Sequence, residues 1–204
     1  MTRWFASDMH FSHVNIIEYC NRPFETTSEM NEAIITRWNE LVRPEDIVEV
    51  EGDVALGKIA ESLQLVGRLN GHLFLRPGNH DRCSPIYGPK GVKWVAAYIE
   101  AGFEGILHPQ GPVSVGRYTA IACHFPYSGD SQEADRFQGC RPVDRGSWLV
   151  HGHIHDAWRQ RGRQINVGID AWGGEPVPEE TLVELIQAGA KDLDPIPWVE
   201  RAAA

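Results

Sequence analysis

The sequence predicts an α/β fold, a mixed β-sheet system with helices on the outside. Three observations predict it. Up to about residue 102, short apolar strands alternate with stretches of helical periodicity. Beyond that point hairpin signals take over, at Gly116-Arg117 and Arg161-Gly162. A hydrophobic share of 42% with 23% charged residues over 204 positions fits one globular domain, residues 1–204.

In chain order, residues 3–7 read as a strand that runs straight into Asp8-Met9-His10, followed by a short helix over 14–19. Ser28 is placed to cap a helix over 29–42, where Met30, Ala33, Ile34, Trp38 and Leu41 recur at three- and four-residue steps until Pro44 ends it. Residues 46–51 read as a strand leading to Gly52-Asp53. This strand is odd: Glu49 and Glu51 share a face with Ile47, whereas a central buried strand is nearly all apolar. Either that face meets polar partners or the strand lies near an edge. Residues 58–69 read as a helix with Ile59, Leu63, Val66 and Leu69 on one side, stopped at Gly71. A strand over 72–76 delivers Pro77-Gly78-Asn79-His80-Asp81, and a helix over 92–101 closes at Gly102. Strands over 113–115 and 118–123 flank the first hairpin turn, 148–151 is a further strand, and 157–160 and 164–167 flank the second. A final helix fits 179–188. The tail, 192–204, carries Pro195 and Pro197 and ends in three Ala; it is expected to be loose.

Composition excludes several classes. The net charge of −9 argues against a nucleic-acid coat, whose affinity comes from neutralised phosphates. No run approaches the ~18 apolar residues of a membrane span, and Asp8 and His10 interrupt the only early apolar run, so no signal peptide is expected. The four Cys are widely spaced with no metal-knuckle pattern, which points to a reduced, cytoplasmic protein. The sequence sets no oligomeric state.

Nine His stand out, because of where they fall. Five predicted strands each end in a polar cluster: Asp8-Met9-His10, Gly52-Asp53, Gly78-Asn79-His80-Asp81, His124, and Gly152-His153-Ile154-His155. Strand carboxyl ends form the ligand crevice in open α/β sheets. Residues two apart point to the same side of an extended chain, as do Asp8 with His10 and His153 with His155. Imidazole, carboxylate and amide oxygen suit Mn, Fe, Zn or Mg rather than thiolate metals. Seven such groups are too many for one tetrahedral ion and suit two divalent ions, manganese favoured, with a shared carboxylate.

This set resembles the calcineurin-like metallophosphoesterase superfamily, whose blocks DxH, GD, GNHD or GNHE, a lone H, and GHxH stand here in that order between Asp8 and His155. The chain is also similar to a small bacterial and phage branch of predicted phosphoesterases. That likeness rests on Trp4-Phe5-Ala6-Ser7-Asp8-Met9-His10-Phe11, on Asn21-Arg22-Pro23-Phe24, and on Asn166-Val167-Gly168-Ile169-Asp170-Ala171-Trp172, and covers residues 3–178. It implies that Asp8, His10 and His155 hold one metal, that Asn79, His124 and His153 hold the other, and that Asp53 bridges them. His80 would be the general acid or an electrostatic stabiliser, oriented by Asp81. Glu49 and Glu51 depart from the branch, which has apolar or aromatic residues there. The fold expected is a four-layer α/β/β/α sandwich of two mixed β-sheets flanked by helices.

The activity expected is phosphoester hydrolysis by a hydroxide shared between the ions, on phosphodiesters of nucleotide type, including 2′,3′- and 3′,5′-cyclic nucleotides. The alternative is a phosphomonoesterase on nucleotides or phosphoproteins. Ranked below are a nuclease, disfavoured because no extended basic track is present, and a non-catalytic binding module on the same fold. The expected partner is a small phosphoester, with no membrane. His13 either touches substrate or caps a helix; Asp170 either supports the site or caps a loop. Arg136, Arg141, Arg145, Arg159, Arg161 and Arg163, set against Asp144 and Asp156, give residues 136–163 a charge of +4. They form either a solvated face or a patch from which one or two Arg hold a phosphate.

Overall fold

Two mixed β-sheets pack face to face in the computed structural model, which describes residues 1–132 and 134–198. The elements run β1 (Arg3–Ala6), α1 (Val14–Tyr19), α2 (Thr27–Leu41), β2 (Ile47–Val50), α3 (Ile59–Ser62), β3 (His72–Leu75), α4 (Pro89–Val92), α5 (Val95–Ala101), β4 (Phe103–Ile106), β5 (Gln110–Val115), β6 (Tyr118–Cys123), β7 (Leu149–His151), β8 (Gln160–Gly162), β9 (Gln164–Asn166), β10 (Val177–Pro178), α6 (Glu179–Ala188) and β11 (Lys191–Leu193). The first sheet has the order β10-β1-β2-β3-β4, parallel except for β10. The second has the order β11-β8-β9-β7-β6-β5, in which β9, β7 and β6 are parallel and the remaining pairs antiparallel. The fold is the predicted α/β arrangement of two mixed sheets with helices.

Strand alternation sorts the core into layers. Ala6, Val48, Val50, Leu73 and Leu75 leave the first sheet on one side and pack against Met30, Ile34 and Trp38 of α2, Leu63, Val66 and Tyr98. Phe5 points the other way, into an inter-sheet core with Val113, Val115, Ala120, Ala122, Val150 and Ile165, which Leu182, Leu185 and Ile186 of α6 complete. Ile121, Cys123 and Leu149 face outward from the second sheet and are covered by Phe125, Tyr127, Phe137 and Cys140 of the following loop.

The anomalous strand is resolved by polar partners rather than by an edge position: β2 lies between β1 and β3. Glu49 is register-matched to Phe5 and Phe74, so its side chain enters the inter-sheet layer. There Arg3 and Arg76 meet it, and Arg76 Nε donates to Glu51 Oε2 at 2.9 Å. The guanidinium of Arg76 also bonds the carbonyl of His108. Two cations interleaved with two carboxylates let a central strand carry charge on its inner face. Burial still pushes the Glu51 carboxyl up to about 7.

Several boundaries differ from the sequence reading. The cap of α2 is Thr26, not Ser28: Thr26 Oγ1 accepts from Glu29 N at 3.2 Å while Glu29 Oε2 accepts from Thr26 N at 3.2 Å. That reciprocal box needs Glu three residues beyond the cap, and Ser28 has Asn31 there. The helix expected over 58–69 is a turn of α-helix and then a 3-10 turn over Leu63–Arg68, with Gly67 inside it. The tail is not loose over 192–198. Its strand β11 pairs with β8, Ile196 bridges to Trp172, and Trp198 packs on Phe24; residues 199–204 lie outside the described residues. No helix among the described residues is long and apolar enough to cross a membrane.

Candidate metal centre

The loops that leave β1, β2, β3, β6 and β7 converge at one edge of the sandwich, on a cavity of about 560 Å³ lined by His10, Asp53, Asn79, His80, His153 and His155 among others. Asp8, His10, Asp53, His153 and His155 all adopt left-handed backbone conformations, with φ between 50° and 74°. Such conformations cost a non-glycine residue about 1–3 kcal/mol each and persist where surrounding structure enforces them. Close packing enforces them here. A Cβ on Gly152 would sit 2.0 Å from Ser7 Oγ and 2.5 Å from Asp8 Oδ2, and one on Gly78 would sit 2.3 Å from Asp53 Oδ1. Glycine therefore precedes these polar groups because the ligand loops touch backbone to side chain.

Of the seven predicted ligands, Asp8, His10, Asp53, His124 and His155 bring donor atoms together, and Asn79 and His153 stand beside His124. One ligand atom each of Asp8, His10 and His155 lie within 4.8 Å of one another, and likewise those of Asp8, Asp53 and His124. His10 Nε2 and His155 Nε2 face each other at 3.1 Å. Asp8 Oδ1 lies 3.8 Å and 3.9 Å from these nitrogens, fully buried and with no hydrogen-bond partner among the described residues. Asp53 Oδ2 is central, 3.4 Å from His124 Nε2 and 3.9 Å from both His10 Nε2 and His80 Nε2. His124 Nδ1 donates to the Glu51 carbonyl at 2.7 Å, which leaves Nε2 to face Asp53 and, at 3.0 Å, Asn79 Oδ1. The His153 ring lies 5.2 Å from that of His124, with Nε2 3.3 Å from Asp130 Oδ2.

Burial opposes charge throughout this cluster. It raises Asp8 to about 7, lowers His155 to about 4 and His153 to about 3, and holds His10 well below its usual value. Asp53 and His124 move the other way. Burial works against them too, but their mutual attraction and hydrogen bond keep Asp53 low and His124 up at about 10. The donor set fits a divalent cation. A buried carboxylate oxygen without a partner is uncommon in native proteins, and two imidazole nitrogens facing one another beside it share a point that a cation satisfies. Nitrogen and oxygen donors without thiolate match Mn, Fe, Zn or Mg.

Asp81 does not orient His80. Its carboxylate is buried and accepts from the amides of Gly78 at 2.8 Å, Asp53 at 2.8 Å and Val54 at 3.1 Å, and from the Tyr98 hydroxyl at 3.3 Å. It ties the Asp53 loop to the Asn79 loop, because three inward-pointing amides and the Tyr98 hydroxyl take its oxygens. His80 itself faces the cavity, 40% exposed at the side chain, and its amide donates to Asp53 Oδ1 at 2.8 Å. His13 also lines the cavity, with no side-chain cap bond to α1 and its ring 5.3 Å from that of His10. His151 packs on Trp158, which stands away from the cavity, as does Trp148.

The arginine cluster disperses. Arg159 lies over Trp172, Arg161 over Trp158, and Arg163 bonds the Gly146 carbonyl. Arg141 pairs with Asp135. Of the six, only Arg136 lines the cavity, its guanidinium held by Asp130 Oδ1 at 2.8 Å. The sequence reading assigned no role to Asp130, which no motif marks, nor to Tyr87, whose hydroxyl donates to the Asn79 carbonyl at 2.7 Å. It gave none to Arg22 either, although that residue lies in a stretch that carried the family likeness. Arg22 is buried and donates to the carbonyls of Asp8 and Met9, both at 2.9 Å, and to both oxygens of Asp170 at 2.8 Å. Asp170 thus supports the site through Arg22.

No protein-family model matches the chain. In the solved structures, the chain is similar to the Aquifex aeolicus protein AQ665, of unknown function, with a TM-score of 0.66 and 22% identity over 90% of this chain and 98% of that one. The likeness shows the shared fold. In sequence it is 32% identical to the uncharacterized protein MJ1445 of Methanocaldococcus jannaschii over 195 residues, 91% of this chain and 92% of that protein. It is 32% identical to the Gene 66 protein of Mycobacterium phage D29, over 90% of this chain and 94% of the phage protein. The corresponding figures for the Gene 66 protein of Mycobacterium phage L5 are 30%, 83% and 87%. With identity of that order sustained along nearly the whole length, the chain belongs to the family of MJ1445 and the mycobacteriophage Gene 66 proteins.

Proposed function

We propose that the chain is a phosphoester hydrolase dependent on two divalent metal ions, of the calcineurin-like type that its motifs resemble. The observation that carries this reading is the cluster of Asp8, His10, Asp53, His124 and His155 with Asn79 and His153 beside it, five of the seven lining one cavity, and with the unpartnered Asp8 Oδ1 beside the facing nitrogens of His10 and His155. Asp8, His10 and His155 would hold one ion and Asn79, His124 and His153 the other, with Asp53 between them. When bound, two such ions supply an activated water and neutralise phosphate charge.

The chain's own groups do the rest. The orientation of the ligand loops is fixed before substrate arrives, by Asp81 on one side and Arg22 on the other. Arg136 is the charged group at the rim able to bind phosphate oxygens, and the pairing with Asp130 holds its guanidinium in place. His80, exposed to the cavity and adjoining Asp53, is placed to give a proton to the departing alkoxide. A proton donor at the leaving group suits esters of poor alkoxide leaving groups, among which we favour phosphodiesters of nucleotide type. The four cysteines, all unpaired, support a cytoplasmic setting.

The test is a panel assay of the manganese-loaded protein on a nitrophenyl monoester, a nitrophenyl diester, and 2′,3′- and 3′,5′-cyclic nucleotides. Metal-dependent turnover of the diesters above the monoester is expected. The reverse order would make the protein a phosphomonoesterase, and no turnover with no bound ion would end the enzyme reading.

A further inference from the structure

We propose that the C-terminal segment ending at Trp198 is a strap that fixes the Asp8–His10 turn, with Trp198 and Asp170 acting through Arg22 as positioning residues of the metal centre; its consequence for metal binding rests on the function proposed above. The turn needs holding. Asp8 and His10 both sit at left-handed φ, 58° and 52°, and two successive carbonyls, those of Asp8 and Met9, turn toward a single buried guanidinium. Arg22 holds both of them and takes its own orientation from Asp170, whose two carboxylate oxygens each accept one bond at 2.8 Å. The pair is planar and two-pronged, which Lys could not reproduce.

Trp198 closes over this clamp. Its indole Nε1 donates to Asp170 Oδ1 at 2.9 Å. Its ring lies against two guanidinium groups, with Arg22 Cζ 5.4 Å and Arg37 Cζ 5.0 Å from the centroid, and meets the edge of Phe24. The seat is built for it. Gly174, at φ 87°, is where a Cβ would stand 2.1 Å from the indole. The backbone before Trp198 is also tied down: Ile196 N donates to the Ala171 carbonyl at 2.9 Å and Gly173 N to the Ile196 carbonyl at 3.0 Å. The indole covers the Arg22–Asp170 pair, and an ion pair shielded from water holds its geometry more tightly than an exposed one. A chain of direct contacts therefore runs from the C-terminal segment to the backbone of a predicted metal ligand.

Two measurements on the full-length protein test this. In the metal-free protein, Trp198→Ala is expected to speed hydrogen exchange at the amides of Asp8 and His10, which bond Gly52 and Asp53 carbonyls, by roughly tenfold, while the β5–β6 hairpin amides exchange as in wild type. Titrated with Mn²⁺, the wild type is expected to bind two ions. Trp198→Ala should keep one affinity and weaken the other by about tenfold, and Asp170→Asn should weaken the same one by about 10–100-fold, as loss of a group that orients a metal ligand does. Trp198→Phe, which keeps the ring between the guanidiniums and drops the Asp170 bond, should fall between wild type and Ala in both assays. It replaces Trp198→Ala if that variant does not fold. Unchanged exchange at Asp8 and His10 overturns the strap whatever the protein does with metal, as does an equal loss at the hairpin and at both ions. A wild type that binds no ion overturns the proposed function, and the strap then stands or falls on exchange alone.

Discussion

At the scale of single residues, the proposed function divides the site into groups that would hold ions and groups that would handle substrate, and substitutions should separate them. Asp53→Ala removes the carboxylate that lies between both halves of the cluster. It is expected to abolish turnover and weaken both ions in a calorimetric titration; near-normal turnover would remove Asp53 from its bridging place. His80→Ala should keep both ions yet lose about 10²–10⁴-fold in kcat on alkoxide esters, and less on nitrophenyl esters, whose leaving group needs little protonation. Equal losses on both would count against a proton donor. Arg136→Ala should raise KM by roughly 10–100-fold, the worth of a hydrogen bond to a charged group, with metal content unchanged. The cluster itself was legible in the sequence because the types and spacings of its residues are those that coordination chemistry favours. The residues behind them were not. Arg22 reaches the Asp8 and Met9 carbonyls and Asp170, Tyr87 reaches the Asn79 carbonyl, and Asp130 meets Arg136 and His153; contacts to backbone atoms and between loops leave no local pattern. Asp81 shows the complementary error: adjacency to His80 suggested a side-chain partnership, whereas three amides facing inward had already claimed its oxygens.

At the scale of elements, periodicity located the helices and strands that bury a face, and capping chemistry sets where α2 begins. Thr26→Ala is expected to cost about 1 kcal/mol in urea denaturation and Ser28→Ala well under half of that, because only Thr26 closes the box. What periodicity could not reach were β4, β10 and β11. These are strands of two to four residues, one containing Gly105 and another Pro178, recognisable only by the neighbour they pair with. The carboxylates of β2 were legible as an anomaly but not as a solution, since Arg3 and Arg76 come from the two flanking strands. Arg76→Ala would leave Glu49 and Glu51 with one cation instead of two. It is expected to destabilise by about 3–5 kcal/mol, as removal of one partner from a buried ion pair does, and equilibrium unfolding at neutral pH would measure it. A loss below ~1 kcal/mol would mean that water reaches the pair.

At the scale of the whole molecule, the proposed ion binding would be linked to folding, because the seven candidate ligands come from both sheets and converge only in the folded chain. Manganese at 100 times its dissociation constant should add about 2.7 kcal/mol per site, and for two sites in a chain of this size a midpoint rise of about 10–20 °C follows from roughly 2–4 °C per kcal/mol. A thermal melt with and without chelator reads it, and an unchanged midpoint would mean that no ion binds the folded form. The two sheets are joined beside this centre by the parallel bridge between Ser7 and Gly168, with Ile169 N donating to the Ser7 carbonyl at 3.0 Å. Their opposite ends are separated by the side chains of α6. The sandwich is thus riveted backbone to backbone beside the candidate centre, while farther off one side-chain bond, from Arg3 Nη1 to the Ser114 carbonyl at 3.1 Å, and the packing of α6 hold the sheets together, so thermal breathing would leave the distances within the cluster nearly still. Under the proposed function, a substrate would be held by what overhangs this rivet, the rim with His13 and Tyr19 on one side and the loop bearing Arg136 on the other.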